Sequence, residues 1–269
     1  MNLISVVIPA KEHDIRLEKA IRSALEQTLP PLEVIVCDNG STNGRVEIMA
    51  SIQDHRIRWI DGGTDGLPSI PKNRGVITCR GDWVAFLDSD DIWLPGKLEK
   101  QIKFAKESGC AAICTNAVRF IPGYGSKGNL LTHGATLGTR LSFQTLLRNN
   151  NVICSSVLIK KDLLCKARGF PENRELIVGE DYSLWLRTST MTDFAFLNEA
   201  LLIYNDEPAS SIRAYSPPPL QQKKYVLMSF LSWAWENGAK KTYIHSAQRL
   251  LLWIKIVECV HRIKSALTK

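Results

Sequence analysis

The sequence predicts an α/β fold, a mostly parallel sheet with helices on both faces, followed by a helical C-terminal extension. Three observations lead there. Short β-branched runs alternate with segments of helical periodicity over the first part of the chain, and each run ends in a polar or proline-containing turn. Beyond the Pro217-Pro218-Pro219 break only helical patterns remain. With 45% apolar and 23% charged residues in 269, the composition excludes collagen-like, coiled-coil and wholly disordered chains.

Leu3–Ile8 (LISVVI), stopped by Pro9, reads as a buried strand. Apolar Ile15, Leu17, Ala20, Ile21, Ala24 and Leu25 recur at helical spacing from Asp14 to Gln27, and Pro30-Pro31 ends that helix. Leu32–Cys37 (LEVIVC) is a second strand, followed by the turn Asp38-Asn39-Gly40-Ser41. A helix from Gly44 to Gln53, a strand at Ile57–Ile60, a helix from Asn73 to Arg80 and a strand at Trp83–Leu87 continue the alternation, which implies right-handed crossovers and parallel strands. A helix at Pro95–Glu107 and a strand at Cys110–Thr115 come next. Gly123–Gly138 reads as a functional loop, Leu141–Leu147 as a helix, Ile153–Ile159 as a strand and Asp181–Thr188 as a helix. The domain boundary falls near Arg213, giving a body of residues 1–212 and a basic, aromatic-rich helical tail of residues 213–269.

The formal charge of +7 is unevenly placed. The tail holds ten Lys or Arg against only Glu236 and Glu258, so the body is slightly acidic. That balance argues against nucleic acid as the partner of the main domain. Seven cysteines form an odd set without a CxxC pair, which reads as reduced core packing. The start lacks a basic leader and no apolar run reaches membrane-spanning length, so the expectation is a cytoplasmic protein. The five histidines show no metal-ligand spacing, and neither a Walker loop nor a GxSxG elbow is present.

In such sheets ligands gather at the carboxyl ends of the strands. Three polar clusters fall there: Pro9–Glu12, Asp38–Ser41 and Asp88-Ser89-Asp90-Asp91. Three carboxylates in four positions repel one another unless a cation or donor joins them, so the last cluster suits a hard cation or a nucleotide; its structural reading is a cap for the following helix.

The chain resembles the family 2 glycosyltransferases, inverting enzymes with the Rossmann-like GT-A fold. The resemblance is carried by Ser5-Val6-Val7-Ile8-Pro9, Glu33–Thr42, Lys72-Asn73-Arg74-Gly75-Val76, Phe86–Trp93, and Gly169-Phe170 with Gly179-Glu180-Asp181-Tyr182-Ser183-Leu184-Trp185-Leu186-Arg187. It implies a nucleotide-sugar donor, with UDP favoured, held by Pro9, Ala10, Glu12, Asp38, Lys72, Asp88 and Ser89. Asp38 would accept a hydrogen bond from the base, Asp88 would hold the ribose, and Asp90 would ligate Mn²⁺ or Mg²⁺ bridging the diphosphate. Asp181 would be the general base, taking the proton of the attacking hydroxyl, with Glu180 raising its proton affinity or orienting a loop. Lys72 would contact the diphosphate, with Arg74 as the competing choice. The acceptor would be a surface polysaccharide or a lipid-linked oligosaccharide.

Each assignment has a plainer counterpart. Asp38 can form an Asx turn with Gly40, Glu180 and Asp181 can simply begin a helix, Lys72 can be solvated, and Trp185 reads as core. Two departures stand out. Pro9-Ala10-Lys11-Glu12 lacks the aromatic ring the family often places near the base, and Glu207 stands where a His often falls. The tail suits a helix lying on an anionic membrane, peripheral on its cytoplasmic face; the other reading is a helical hairpin packed on the body or on a second copy in a homo-oligomer. Two other functions share these residues. Asp88-Ser89-Asp90 also resembles an aspartyl nucleophile of a metal-dependent phosphohydrolase, and a GT-A fold could serve as a non-catalytic adaptor.

Overall fold

The computed structural model describes residues 3–12, 14–41, 44–64, 66–129, 138–207 and 217–267. The expected domain boundary at Arg213, His13, His133 and part of the Gly123–Gly138 loop lie outside these residues.

The parallel half of the sheet forms where the β-branched runs were expected. Strand β1 (Ile4–Ala10) lies between β2 (Glu33–Asp38) and β4 (Trp83–Phe86), with β3 (Ile57–Ile60) outside β2, and all these pairings are parallel. The strand order β3-β2-β1-β4 reverses direction at β1, so the carboxyl ends of β1, β2 and β4 open side by side into a crevice. Helix α1 (Ile15–Leu25) starts as its sequence implies: the Asp14 carboxylate accepts the Arg16 and Leu17 N–H groups. Helices α2 (Arg45–Ser51) and α3 (Ser69–Thr78) complete the crossovers, α3 beginning four residues before the expected Asn73.

The second half is more mixed. The short β5 (Ile92–Trp93) precedes α4 (Lys97–Ser108) and β6 (Ala112–Ile121), on which β7 (Gly125–Asn129) folds back as a hairpin partner. Part of the expected Gly-rich loop is therefore strand. Leu141 belongs to β8 (Arg140–Leu141), and the helix expected from it, α5 (Phe143–Arg148), begins after the Ser142 cap. The strand expected over Ile153–Ile159 is split: Cys154–Ser156 forms a 3-10 turn and only Leu158–Lys160 (β9) pairs. There follow α6 (Lys161–Lys166), α7 (Glu180–Thr188) and β10 (Phe194–Asn205), which lies parallel to β6 along its length. The antiparallel pairings of β9, β5, β7 and β8 are short, so parallel ladder dominates.

Because side chains alternate across a strand, the sheet has two cores. Val6 and Ile8 face α1 and α4, with Leu17, Ile21, Leu98 and Ile102. Val7, Ile35 and Phe86 face the other way, toward α7 and the tail. The tail helices α8 (Pro219–Glu236) and α9 (Lys241–Leu267) contribute Val226, Leu227, Phe230, Trp233, Ile244, Ala247 and Ile254 to this second core. The Phe143 ring packs at a tilt against Phe230 at 5.2 Å and against Tyr243 at 4.6 Å between centroids. Trp185 is fully buried, as its helical spacing suggested, and packs edge-on against Phe170 and Phe194. Of the seven cysteines, Cys165 and Cys259 are exposed and the others are buried.

Candidate active site

A cleft of about 1150 Å³ lies over the carboxyl ends of the parallel strands. Its walls include Pro9, Ala10, Glu12, Lys72, Asp88, Ser89, Asp90, Glu180 and Asp181, brought from four separate segments of the chain. β1 and β4 position the first and third expected clusters by ending at the same edge, since Val7 pairs with Phe86. Helix α7 projects its first turn, Glu180 and Asp181, into the cleft from the second core.

Asp38 is the exception. It pairs with Ala10 at the end of β2 and is 8% exposed, but it is Asn39 beside it that lines the cleft. The Asp38 carboxylate accepts the Ser41 N–H at 2.9 Å, and the Asp38 carbonyl accepts a hydrogen bond from Arg74 at 3.0 Å. Arg74 thus braces the Asp38 turn from below. It reaches there because Gly62 has no side chain: a Cβ at that position would fall within 1.1 Å of the guanidinium.

Lys72 is buried at the cleft floor. Its Nζ lies 3.0 Å from Glu180 Oε1 and 3.7 Å from Asp88 Oδ1, and 5.4 Å from the centre of the Phe170 ring. Burial disfavours the ammonium, but the carboxylates of Asp88, Glu180 and Asp181 outweigh it and hold its pKa well above the usual lysine value. Asp181 behaves oppositely. Burial, then the Glu180 charge, push its carboxyl up to about 7, against the pull of Lys72 and of the Tyr182 N–H that it accepts. Its carboxylate still reaches the cleft surface, as a group that must exchange protons with a ligand requires. The buried Cys154 thiol is pushed well up by its surroundings and stays protonated.

The acidic run after β4 divides its labour. Asp88, Ser89 and Asp90 line the cleft, whereas Asp91 is 1% exposed and accepts the Asn205 N–H at 2.9 Å, tying the loop to β10. Burial, then the charges of Asp90 and Asp88, raise the Asp91 pKa well above its ordinary value. The loop is further fixed by the Asp88 N–H, which donates to Ser155 Oγ at 3.0 Å. Two other motif segments clasp each other: Asn73 Oδ1 accepts the Phe170 N–H at 2.8 Å and Asn73 Nδ2 donates to the Phe170 carbonyl at 2.9 Å. A side chain at Gly169, which holds φ +66°, would lie 2.6 Å from Asn73 Oδ1.

Among the described residues no group of three or more His, Cys, Asp or Glu could hold a metal ion alone. Asp88 and Asp90 offer oxygen ligands on the cleft wall, so the residues fit a hard cation that draws the rest of its shell from a bound phosphate and water.

Several lining residues carry no sequence motif. Arg16 of α1 lies 2.7 Å from Asp14, 3.6 Å from Glu12 and 3.6 Å from Glu207, which places Glu207 on the cleft wall too. Asn149, Asn150, Cys154, Gln222 and Lys223 complete the far side. The sequence gives no cue for these because they come together only through packing of α5, α7 and α8.

The glycosyl transferase family 2 model matches residues 5–165. An uncharacterized glycosyltransferase of Haemophilus influenzae is 31% identical over 188 residues, covering 69% of this chain and 71% of the relative. The Escherichia coli protein WfaP, a UDP-Glc:alpha-D-GlcNAc-diphosphoundecaprenol beta-1,3-glucosyltransferase, is 30% identical over 186 residues, covering 69% of this chain and 70% of its own. Among solved structures, S. aureus TarS in complex with UDP-GlcNAc superposes with a TM-score of 0.72 over 93% of this chain and 70% of TarS, at 16% identity, a likeness of fold.

Proposed function

The chain belongs to glycosyl transferase family 2, and from that membership we propose that it moves a sugar, with inversion, from a UDP-sugar to a hydroxyl of a surface polysaccharide or lipid-linked oligosaccharide. The observation that carries this reading is the convergence of Lys72, Asp88, Asp90, Glu180 and Asp181 in one cleft, with the Asp181 carboxyl at about 7. A base of that strength is half ionised near neutrality and suited to accept a proton from a hydroxyl as its oxygen attacks.

In the proposed reaction the acceptor oxygen forms a bond to the anomeric carbon, the bond from that carbon to the diphosphate breaks, and the hydroxyl proton passes to Asp181. Glu180 holds the Lys72 ammonium and keeps Asp181 basic. Lys72 sets a fixed positive charge beneath the position of the departing diphosphate. Asp90 would hold Mn²⁺ or Mg²⁺, which when bound offsets diphosphate charge, and Asp88 beside it would hold the ribose. The Asp38 turn, braced by Arg74, and the Pro9–Glu12 wall form the side where base and ribose would rest. The donor and acceptor named for WfaP support the choice of UDP and of a lipid-linked acceptor.

The test is release of nucleoside diphosphate from a panel of nucleotide-sugars, with Mn²⁺ or Mg²⁺ and with a chelator in its place. Turnover of one or more UDP-sugars, lost on chelation, is the expected result. Release from GDP- or ADP-sugars alone would remove the UDP assignment, and unchanged turnover under chelation would remove the cation.

A further inference from the structure

Helix α9 presents apolar residues on nearly its whole circumference between Leu250 and Val260. One face is used: Ile244, Ala247 and Ile254 are buried against the second core. The opposite face is not. Leu252 is 59% exposed, Trp253 54%, Ile256 54% and Val260 43%, and their spacing aligns them in one stripe along the helix. A helix that is apolar all round is ordinarily covered on every side.

Charge indicates what would cover this stripe. The two carboxylates of the tail are both spent on ion pairs, Glu236 with Arg168 at 3.3 Å and Glu258 with Lys224 of α8 at 3.1 Å. Arg249 and Lys255 are exposed beside the stripe, Lys240 and Lys241 at the head of the helix, and Arg262 and Lys264 follow in the sequence. The outer face of α9 therefore combines an aromatic–aliphatic ridge with basic flanks. A second copy of the chain would bring the same positive charge to the contact. We propose that this face of α9 seats the protein on an anionic lipid surface, with Trp253 and Ile256 entering the headgroup boundary and the basic side chains meeting lipid phosphates. Among the described residues, none from α9 lines the cleft, so this surface stands independently of the donor chemistry.

The experiment is flotation of the full chain with phosphatidylcholine vesicles, with and without phosphatidylglycerol. The parent chain is expected to float with the anionic vesicles and not with pure phosphatidylcholine, and to be released by high salt. Trp253→Asp with Ile256→Asp abolishes flotation without changing the melting midpoint, since both side chains are exposed. Arg249→Ser with Lys255→Ser lowers partition by about twenty-five-fold, from roughly a fivefold contribution of each cation near the surface. Failure of the parent to float, or equal flotation of parent and Trp253→Asp/Ile256→Asp, overturns the proposal. So does light scattering that finds a dimer of the parent dissociated by those two substitutions, which would make the stripe a contact between copies.

Discussion

Replacing Glu180 by glutamine tests how the cleft tunes its base. After burial, the Glu180 charge is the largest influence lifting Asp181 to about 7. Glu180 is also the nearer partner of Lys72, at 3.0 Å against 3.7 Å for Asp88. Glu180→Gln removes a like charge and leaves the ammonium to Asp88 and Asp181, and both changes lower the Asp181 pKa. The active form of a base is its anion, so the parent rate climbs with pH and levels off above about 7. In the variant the rising limb moves to lower pH by on the order of one unit, equivalent to about 1.4 kcal/mol. Near pH 6 the ionised fraction of Asp181 then rises roughly fivefold, while the plateau rate does not increase because the base is weaker. The assay is the initial rate of nucleoside diphosphate release at saturating donor and acceptor, across a pH series at constant ionic strength. A limb that stays in place or moves upward refutes the tuning. Asp181→Asn serves as the companion: it removes the limb and lowers transfer by about 10²–10⁴-fold while donor binding persists. Linkage gives it a second readout. A carboxyl raised in the folded state stabilises the fold fully only below its unfolded pKa, and that contribution is lost as pH rises toward about 7. Asp181→Asn is therefore expected to match the parent in acid and to exceed its stability in denaturant melts above neutrality, by on the order of 3 kcal/mol once its exposed edge is discounted.

Two further substitutions probe the frame around the base. Lys72→Met leaves the buried Glu180 without its cation and is expected to cost about 3–5 kcal/mol in chemical denaturation; a loss under about 1 kcal/mol would mean the ion pair is not formed in solution. Gly179→Ala places a Cβ at φ +105°, 3.2 Å from Val226 Cγ2 and 3.3 Å from Gln222 Nε2 of α8. It is expected to destabilise by about 1–2 kcal/mol and to lower kcat more than donor affinity, because Glu180 and Asp181 directly follow; an unchanged kcat would show that α8 does not set the position of that turn.

Where sequence reading succeeded, the signal was local. The runs LISVVI, LEVIVC and WVAF are apolar because both faces of a central parallel strand are buried, so a short window is enough to find them. β10 escaped notice because Asn198 and Glu199 break its apolar pattern; its register on β6 shifts at that point, and the pairing joins segments about eighty residues apart. The 3-10 turn at Cys154–Ser156 was read as strand for the opposite reason: its residues are apolar or small and buried, but the Ser155 and Ser156 carbonyls accept from the Trp93 and Gln101 side chains rather than from a ladder.

The sequence by itself determined the family, the alternating α/β layers and the acidic loops at the strand ends, since each rests on residues adjacent in the chain or repeating with the period of one element. Tertiary structure alone decided how those loops are used. It turned the Asp38 carboxylate to Ser41, withdrew Asp91 to β10, and set Lys72 against Glu180 across 108 positions. It also chose which side of α9 packs inward and which basic, apolar side faces out. The physical reason is that charge pairing and desolvation depend on distance through space, and separations of a few ångströms between remote segments exist only once the sheet and its helices have closed together.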